Sequence, residues 1–365
     1  MKIIHCSDLN LDSKMQANFD SGKAKERRDE ILRTYQKMVE YAAKNDVKII
    51  LIAGDMFDKK DITTKAKNVV LNSICANPQI DFIYLKGNHD EASFITELEE
   101  IPSNLKLFNS NEWQYYRYGN LVIAGIEFGK VKNYEMYSSL MLNKSDINIV
   151  LLHGQESKYD QKDSEGINIQ SLKNKNIDYL ALGHIHKYKK EAIDTRGAYC
   201  YSGCLEGRGF DECGEKGFVL LNVDEENKKI SSEFIPFAHR KLYAIDVDIT
   251  GTLTNLDAER KIDEQVKDIE KEALVKIVLK GKVEIDSERD IKYLEKKYKE
   301  MFYFAKIYDE TNLKVDYMSY ENDASLKGEF IRLILRQDGI SDEGKKKIII
   351  CGIKALSGEE VDEWN

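Results

Sequence analysis

Val47-Lys48-Ile49-Ile50-Leu51-Ile52-Ala53-Gly54-Asp55-Met56-Phe57-Asp58 reads as one strand driven through the middle of a sheet and stopped at a polar turn. Apart from Lys48 the run up to Ala53 is aliphatic, without the alternation of a half-exposed strand. Such a strand is buried on both faces, as in an α/β sheet. Upstream, Glu26–Lys44 carries Ile31, Leu32, Tyr35, Met38, Val39 and Ala42 on one helical face. Before that helix, the β-rich run Lys2–His5 ends at Ser7-Asp8. Downstream come a helix over Thr63–Ala76 and a strand, Asp81–Leu85, stopped by Gly87-Asn88. Strand–helix–strand order with short connections predicts right-handed crossovers and a largely parallel sheet.

From Leu105 the pattern turns β-rich, with candidate strands at Trp113–Tyr118, Leu121–Ile126, Ile147–Leu152, Tyr179–Leu182, Phe218–Val223 and Ser231–Phe237. Two packed sheets flanked by helices accommodate this half. Phe237–Lys241 reads as a boundary, because a new strand, Leu242–Ile249, opens a second α/β pattern. That pattern continues with a helix over Leu256–Glu272, a strand at Ala273–Leu279 and a charged helix near Ser287–Lys299. The expected division is therefore a first domain over residues 1–240 and a smaller α+β domain over 241–365.

Composition narrows the function classes. The 365 residues include 55 Lys+Arg and 64 Asp+Glu, a formal net charge of −9. Neither the part up to Arg240 nor the part after it has a basic surplus, so gripping nucleic acid by general electrostatics is disfavoured. The longest apolar runs fall far short of the roughly 20 residues a membrane helix needs. The N-terminus turns polar at Ser7, without a signal-peptide apolar region. A soluble cytoplasmic protein is expected. Cys200, Cys204 and Cys213 lack the paired spacing of structural zinc sites, and no histidine lies among them.

Polar residues cluster just after several separate strands: Asp8-Leu9-Asn10, Gly54-Asp55, Gly87-Asn88-His89-Asp90, His153-Gly154 and Gly183-His184-Ile185-His186. Ligands of open α/β sheets bind outside the carboxyl ends of strands, so these loops are candidates for one site. Asp, Asn and His are hard or borderline metal ligands. In extended segments Asp8 and Asn10 share a face, as do His184 and His186. Four of the six histidines lie in these clusters. His5 is expected to face the core instead.

The order D-x-N, G-D, G-N-H-D, H-G and G-H-I-H resembles the calcineurin-like metallophosphoesterases, in which the first element is usually D-x-H. The opening Met1–Asp8 and Gly54-Asp55-Met56-Phe57-Asp58 are more specifically similar to SbcD-type DNA-repair exonucleases. Gly203–Gly217, with Gly207-Arg208-Gly209-Phe210-Asp211-Glu212, and Ile245–Thr250 look closest to the YhaO-like branch. The resemblance implies a four-layer αββα sandwich followed by the smaller domain as a cap that shapes access to DNA. It implies one divalent ion on Asp8, Asn10, Asp55 and His186, and a second on Asp55, Asn88, His153 and His184. Mn²⁺ is the expected metal, with Mg²⁺ the other choice.

The implied reaction is phosphodiester hydrolysis by hydroxide formed between the two ions, with His89 assisting at the phosphate. Asp58 stands where some relatives carry a second catalytic histidine; support of the site and simple loop solvation are both open for it. Arg208 could reach a substrate phosphate or belong to a glycine loop. Asn10 offers a neutral carbonyl oxygen in place of an imidazole nitrogen, which should weaken the first ion site. The implied partners are DNA and an SbcC-like coiled-coil ATPase, with a homodimer as a further expectation and no membrane. The alternatives are a small-molecule phosphodiesterase or phosphatase, and a weakly catalytic scaffold subunit of such an ATPase complex.

Overall fold

The computed structural model describes residues 1–15, 19–58, 62–88, 90, 95, 100–127, 133–157, 166–284, 287, 290–314 and 323–356. Two compact units divide the chain, Met1–Leu242 and Tyr243–Asn365.

The first unit begins β1 (Lys2–Cys6), α1 (Ser21–Lys44), β2 (Val47–Ala53), α2 (Thr64–Cys75), β3 (Asp81–Leu85) and β4 (Leu105–Leu107). It continues with β5 (Gln114–Tyr118), β6 (Leu121–Gly125), α3 (Asn133–Ser139), β7 (Ile147–His153), β8 (Gln155–Ser157) and β9 (Gly166–Asn168). Then come β10 (Tyr179–Gly183), β11 (Lys189–Ala192), β12 (Ala198–Tyr201), β13 (Gly217–Asp224) and β14 (Lys229–Pro236). One sheet has the order β14-β13-β1-β2-β3-β4 and the other β11-β12-β10-β7-β6-β5. The strands β1 to β4 run parallel, with β13 antiparallel to β1. In the second sheet β6, β7, β10 and β12 are parallel.

The sheets pack face to face. Ile3, Leu51 and Ile83 of the first share a buried core with Ile123, Ile149 and Ala181 of the second. The outer face of the second sheet, through Val150, Leu152 and Leu180, packs on Met136, Tyr137 and Leu172. Helix α1 buries Ile31, Tyr35, Met38 and Ala42. The architecture is an αββα sandwich. Burial on both faces explains why β2, β6, β7 and β10 carry near-continuous aliphatic runs.

Local signals set the helix ends. Helix α1 starts earlier than its apolar stripe, at Ser21, because the Asp20 carboxylate accepts from Lys23 N at 2.9 Å. A buried ion-pair cluster then ties α1 to distant segments. Arg27, fully buried, lies 2.5 Å from Glu30 and 3.2 Å from Glu206, and Arg240 reaches Glu30 at 2.6 Å.

The second unit comprises β15 (Leu242–Asp248), α4 (Asn255–Val266), β16 (Leu274–Lys280), β17 (Lys282–Glu284), α5 (Ile291–Met301), β18 (Phe304–Asp309), β19 (Asn312–Lys314), α6 (Leu326–Leu335) and α7 (Asp342–Leu356). Strands β15, β16 and β18 form a sheet over a core that includes Val247, Ile262, Ile277, Leu294 and Tyr298. A Thr254–Asp257 capping box starts α4. The helix expected to reach Glu272 stops at Val266, where Ile269 N turns back to the Val266 carbonyl at 3.0 Å. Helix α7 packs its Ile349 and Ile353 with Ile331 of α6. Among the described residues no helix is long and apolar enough to cross a membrane.

Candidate metal centre

The chemistry-bearing residues lie where the parallel strands end. Asp8 follows β1, Asp55 follows β2, Asn88 follows β3, His153 closes β7, and His184 follows β10. Hydrogen bonds knit these ends together across the two sheets. Asp8 N donates to the Gly54 carbonyl at 3.0 Å and Asn10 N to the Asp55 carbonyl at 3.0 Å. His184 N donates to both Asp8 carboxylate oxygens, at 3.0 and 3.1 Å. The rings of His153 and His184 meet edge to face at 5.5 Å. His89 lies outside the described residues.

Asp8, Asp55 and His153 form a buried cluster whose ligand atoms all lie within 4.8 Å of one another. His153 Nδ1 faces the Ala53 carbonyl oxygen at 2.9 Å, so that nitrogen carries the proton. The lone pair of Nε2 then points at Asn88 Oδ1, 3.0 Å away, and Asp55 Oδ2, 3.5 Å away. Lone pairs crowded in this way repel unless a positive charge lies between them. Without a metal that charge is a proton on the imidazole. Burial opposes it, but the Asp55 and Asp8 carboxylates outweigh burial and raise the His153 pKa to about 9. A divalent cation can replace that proton. Carboxylate, amide carbonyl and imidazole together suit a divalent ion of intermediate hardness.

Asp8 is buried beside Asp55. Burial first, and the neighbouring carboxylate after it, push its pKa upward, against the pull of His153, Ser7 and His186. Ser7 Oγ donates to Asp8 Oδ2 at 2.5 Å and meets Ser202 Oγ at 2.9 Å. On the other side of Asp8, His186 Nε2 stands 3.7 Å from Oδ1. Asn10 donates its amide Nδ2 to the Asp8 carbonyl at 3.1 Å, which leaves Oδ1 as the amide's cation-binding end.

The backbone is strained where the ligands sit. Asp8, Asn10, Asp55 and His184 all adopt positive φ, at 49°, 45°, 52° and 103°. Asp and Asn tolerate the left-handed region through their short polar side chains, whereas His184, at 103°, lies beyond that region. His184 holds its conformation while its N–H is committed to Asp8. Glycines let the loops approach. A Cβ on Gly54, whose φ is 89°, would lie 2.1 Å from His153 Nδ1, and one on Gly87 would lie 2.1 Å from Asp55 Oδ1. Gly54 and Gly87 thus each make room for the functional side chain of another motif.

Other expectations resolve around this centre. Asp90 accepts from Met56 N, Phe57 N and Gly87 N at 3.2, 3.1 and 3.0 Å, clamping the loop after β2 to the loop after β3. Asp58 does more than solvate its loop, since its Oδ1 accepts from Arg208 Nη1 at 3.0 Å. Arg208 also pairs with Glu212 at 3.0 Å. His5 is buried between the sheets with Nδ1 2.9 Å from the Tyr179 hydroxyl, and burial lowers its pKa to about 3. The cysteines are free thiols. Sequence reasoning did not single out Glu212, Ser202 or the Ala53 carbonyl as part of the site; each reaches it only through the tertiary fold.

The chain is similar to known proteins over much of its length. Residues 1–188 match the calcineurin-like phosphoesterase family. YhaO of Bacillus subtilis (strain 168), an uncharacterized metallophosphoesterase, is 27% identical over 271 residues, covering 70% of this chain and 65% of that protein. The chain thus spans slightly less than two thirds of that relative's length. The DNA double-strand break repair protein Mre11 of Sulfurisphaera tokodaii is 27% identical over 299 residues, covering 77% of this chain and 74% of that one. A solved dimetal phosphatase from Danio rerio gives a TM-score of 0.40 at 9% identity, covering 60% of this chain and 92% of its own. With more than half of its length matched, the chain belongs to the calcineurin-like phosphoesterase family, a family of metal-dependent phosphoesterases.

Proposed function

We propose that this chain is a DNA nuclease of the SbcD/YhaO type, hydrolysing phosphodiester bonds with two divalent cations, Mn²⁺ in preference to Mg²⁺. The observation that carries the reading is the buried convergence of Asp8, Asp55 and His153, with Asn88 facing the same imidazole nitrogen. Asp8, Asn10, Asp55 and His186 hold one ion; Asp55, Asn88, His153 and His184 hold the other. Divalent cations bound in pairs acidify water and neutralise charge on phosphate oxygens.

The protein's own part is orientation and charge. Asp8 and Asp55 bring negative charge to a buried place, and the Ala53 carbonyl keeps the His153 Nδ1 proton away from the ligand side. His89 assists at the phosphate, protonating the departing oxygen or stabilising its charge. DNA as substrate draws support from the Mre11 relative, named for double-strand break repair. The net charge of −9 is compatible with it, because the two ions add positive charge where a phosphate sits. Away from that site the same charge implies weak DNA binding by this chain alone, so an SbcC-like ATPase partner in the cytoplasm completes the reading.

The deciding assay compares linear duplex and single-stranded DNA with a chromogenic phosphodiester at saturating Mn²⁺. Mn²⁺-dependent degradation of DNA is expected. Turnover of the chromogenic ester without any DNA cleavage would assign a small-molecule phosphodiesterase. No hydrolysis of either would assign a scaffold.

A further inference from the structure

The segment 202–216, between β12 and β13, closes on His186 from behind. Glu212 Oε1 lies 2.7 Å from the ring's Nδ1. The backbone carbonyl of His186 accepts from Lys216 Nζ at 2.6 Å and from Cys204 N at 3.4 Å. Glu212 is itself only 6% exposed and firmly placed. Its Oε2 accepts from Arg208 N at 2.7 Å, and its Oε1 from Arg208 Nη2 at 3.0 Å. The same guanidinium reaches Asp58 Oδ1 at 3.0 Å. One arginine is therefore gripped by a carboxylate from the loop after β2 and by another from 202–216.

This arrangement matters because the His186 side chain is 31% exposed, against 4% for His153, so less of its ring is held by surrounding packing. A carboxylate accepts a proton and cannot donate one when ionised, so the contact assigns the proton to Nδ1. The lone pair of Nε2 is then left facing Asp8. A carboxylate behind a ligating imidazole also makes it the better electron donor. The gain is largest where the neighbouring ligand is weak, and position 10 carries a neutral asparagine.

We propose that Glu212 is the positioning residue of the Asp8 side of the centre, aiming His186 at the first ion, and that Arg208, held between Glu212 and Asp58, keeps that carboxylate on Nδ1. The inference rests on the two-ion reading above.

Calorimetric titration of the full chain with Mn²⁺ tests it, with thermal unfolding of the metal-free protein as the control on folding. Wild type takes up two ions. Glu212→Gln, which keeps the shape and an acceptor oxygen but loses the charge, weakens one of them about 10-fold. Glu212→Ala weakens the same one by about 10–100-fold, the range seen when such supporting partners are removed. The other ion binds as in wild type, and the graded order Glu, Gln, Ala marks positioning rather than space filling. Wild-type affinity at both steps in both variants overturns the inference. So does an equal loss at both steps, which would give Glu212 a role in the fold alone. A wild-type protein that takes up no Mn²⁺ would instead sink the two-ion reading, a result distinct from either.

Discussion

His153 Nδ1 lies 2.9 Å from the carbonyl oxygen of Ala53, one hundred positions earlier in the chain. That hydrogen bond joins the last residue of β7, in one sheet, to the last residue of β2, in the other. It also turns the second ring nitrogen toward Asn88 and Asp55. The centre is thus assembled by the packing of two sheets, and its behaviour without metal follows from the charges this packing buries.

In the metal-free fold the Asp8 and Asp55 carboxylates are offset by the proton on His153. Asp55→Asn removes the chief partner of that imidazolium, so the metal-free variant is expected to melt at or below the wild-type temperature at neutral pH. Wild type should be stabilised by about 2.7 kcal/mol when Mn²⁺ stands at 100 times its dissociation constant. The variant should show little of that gain. Thermal melts with Mn²⁺ and with a chelator check this, and equal Mn²⁺-induced shifts in both proteins would refute it.

His153 sets a pH dependence with a definite sign. Its pKa rises from an ordinary 6.5 to about 9 in the metal-free fold. A raised pKa contributes stability that is fully present below 6.5 and lost as pH climbs through 9. Urea unfolding of metal-free protein should therefore show declining stability across that window, with a flatter profile in His153→Gln. Mn²⁺ affinity should move the opposite way, rising with pH because the Nε2 proton must leave.

Asn10→His restores the residue type usual in the family, at a cost to the fold. Position 10 has φ 45° and is buried, and its amide donates to the Asp8 carbonyl. The left-handed backbone and the lost hydrogen bond together cost about 1–3 kcal/mol. The variant should nonetheless gain affinity for Zn²⁺ relative to Mn²⁺, since an imidazole replaces a neutral oxygen. Competition titrations read the ratio; an unchanged ratio means that position 10 does not set metal preference.

Gly87→Ala tests the approach of the loops. Its Cβ would overlap Asp55 Oδ1 at 2.1 Å and Asp55 N at 2.5 Å. A loss of about 1–3 kcal/mol is expected, the usual range for overpacking, together with weakened metal uptake. Urea denaturation and metal analysis measure the two effects, and unchanged uptake would show that the Asp55 loop yields without cost.

Arg27→Ala probes the scaffold away from the ligands. It leaves Glu30 and Glu206 without a buried cationic partner they now share. Breaking a buried pair from one side costs about 3–5 kcal/mol. The midpoint of urea unfolding should fall accordingly. A drop under about 1 kcal/mol would show that Arg240, 2.6 Å from Glu30, carries the cluster by itself.

Strand order and candidate ligands were legible along the chain because their signals are local. An aliphatic run buried on both faces identifies β2, and a glycine followed by a polar residue marks where it stops. The same pattern marks β3 and β10, while β7 is marked by His153-Gly154. Together they bring out Asp55, Asn88, His153 and His184. Helix ends were less legible, since α1 begins at an aspartate cap outside the apolar stripe and α4 stops where Ile269 turns back.

What surrounds the ligands had no such mark. Glu212 lies 26 residues from His186, Arg208 lies 150 from Asp58, and Glu206 lies 179 from Arg27. A charged residue in a loop reads the same whether it meets water or a ligand's ring, because its partner is chosen by the fold. The chain by itself therefore determined the order of strands and helices and the polar residues at the strand ends, through burial and turn chemistry acting over a few residues, while the αββα layering and the ligand sets were implied by its resemblance to a family. Only the tertiary structure decided which proton each imidazole carries and which carboxylate aims it, because contacts between distant loops exist only once the two sheets have packed.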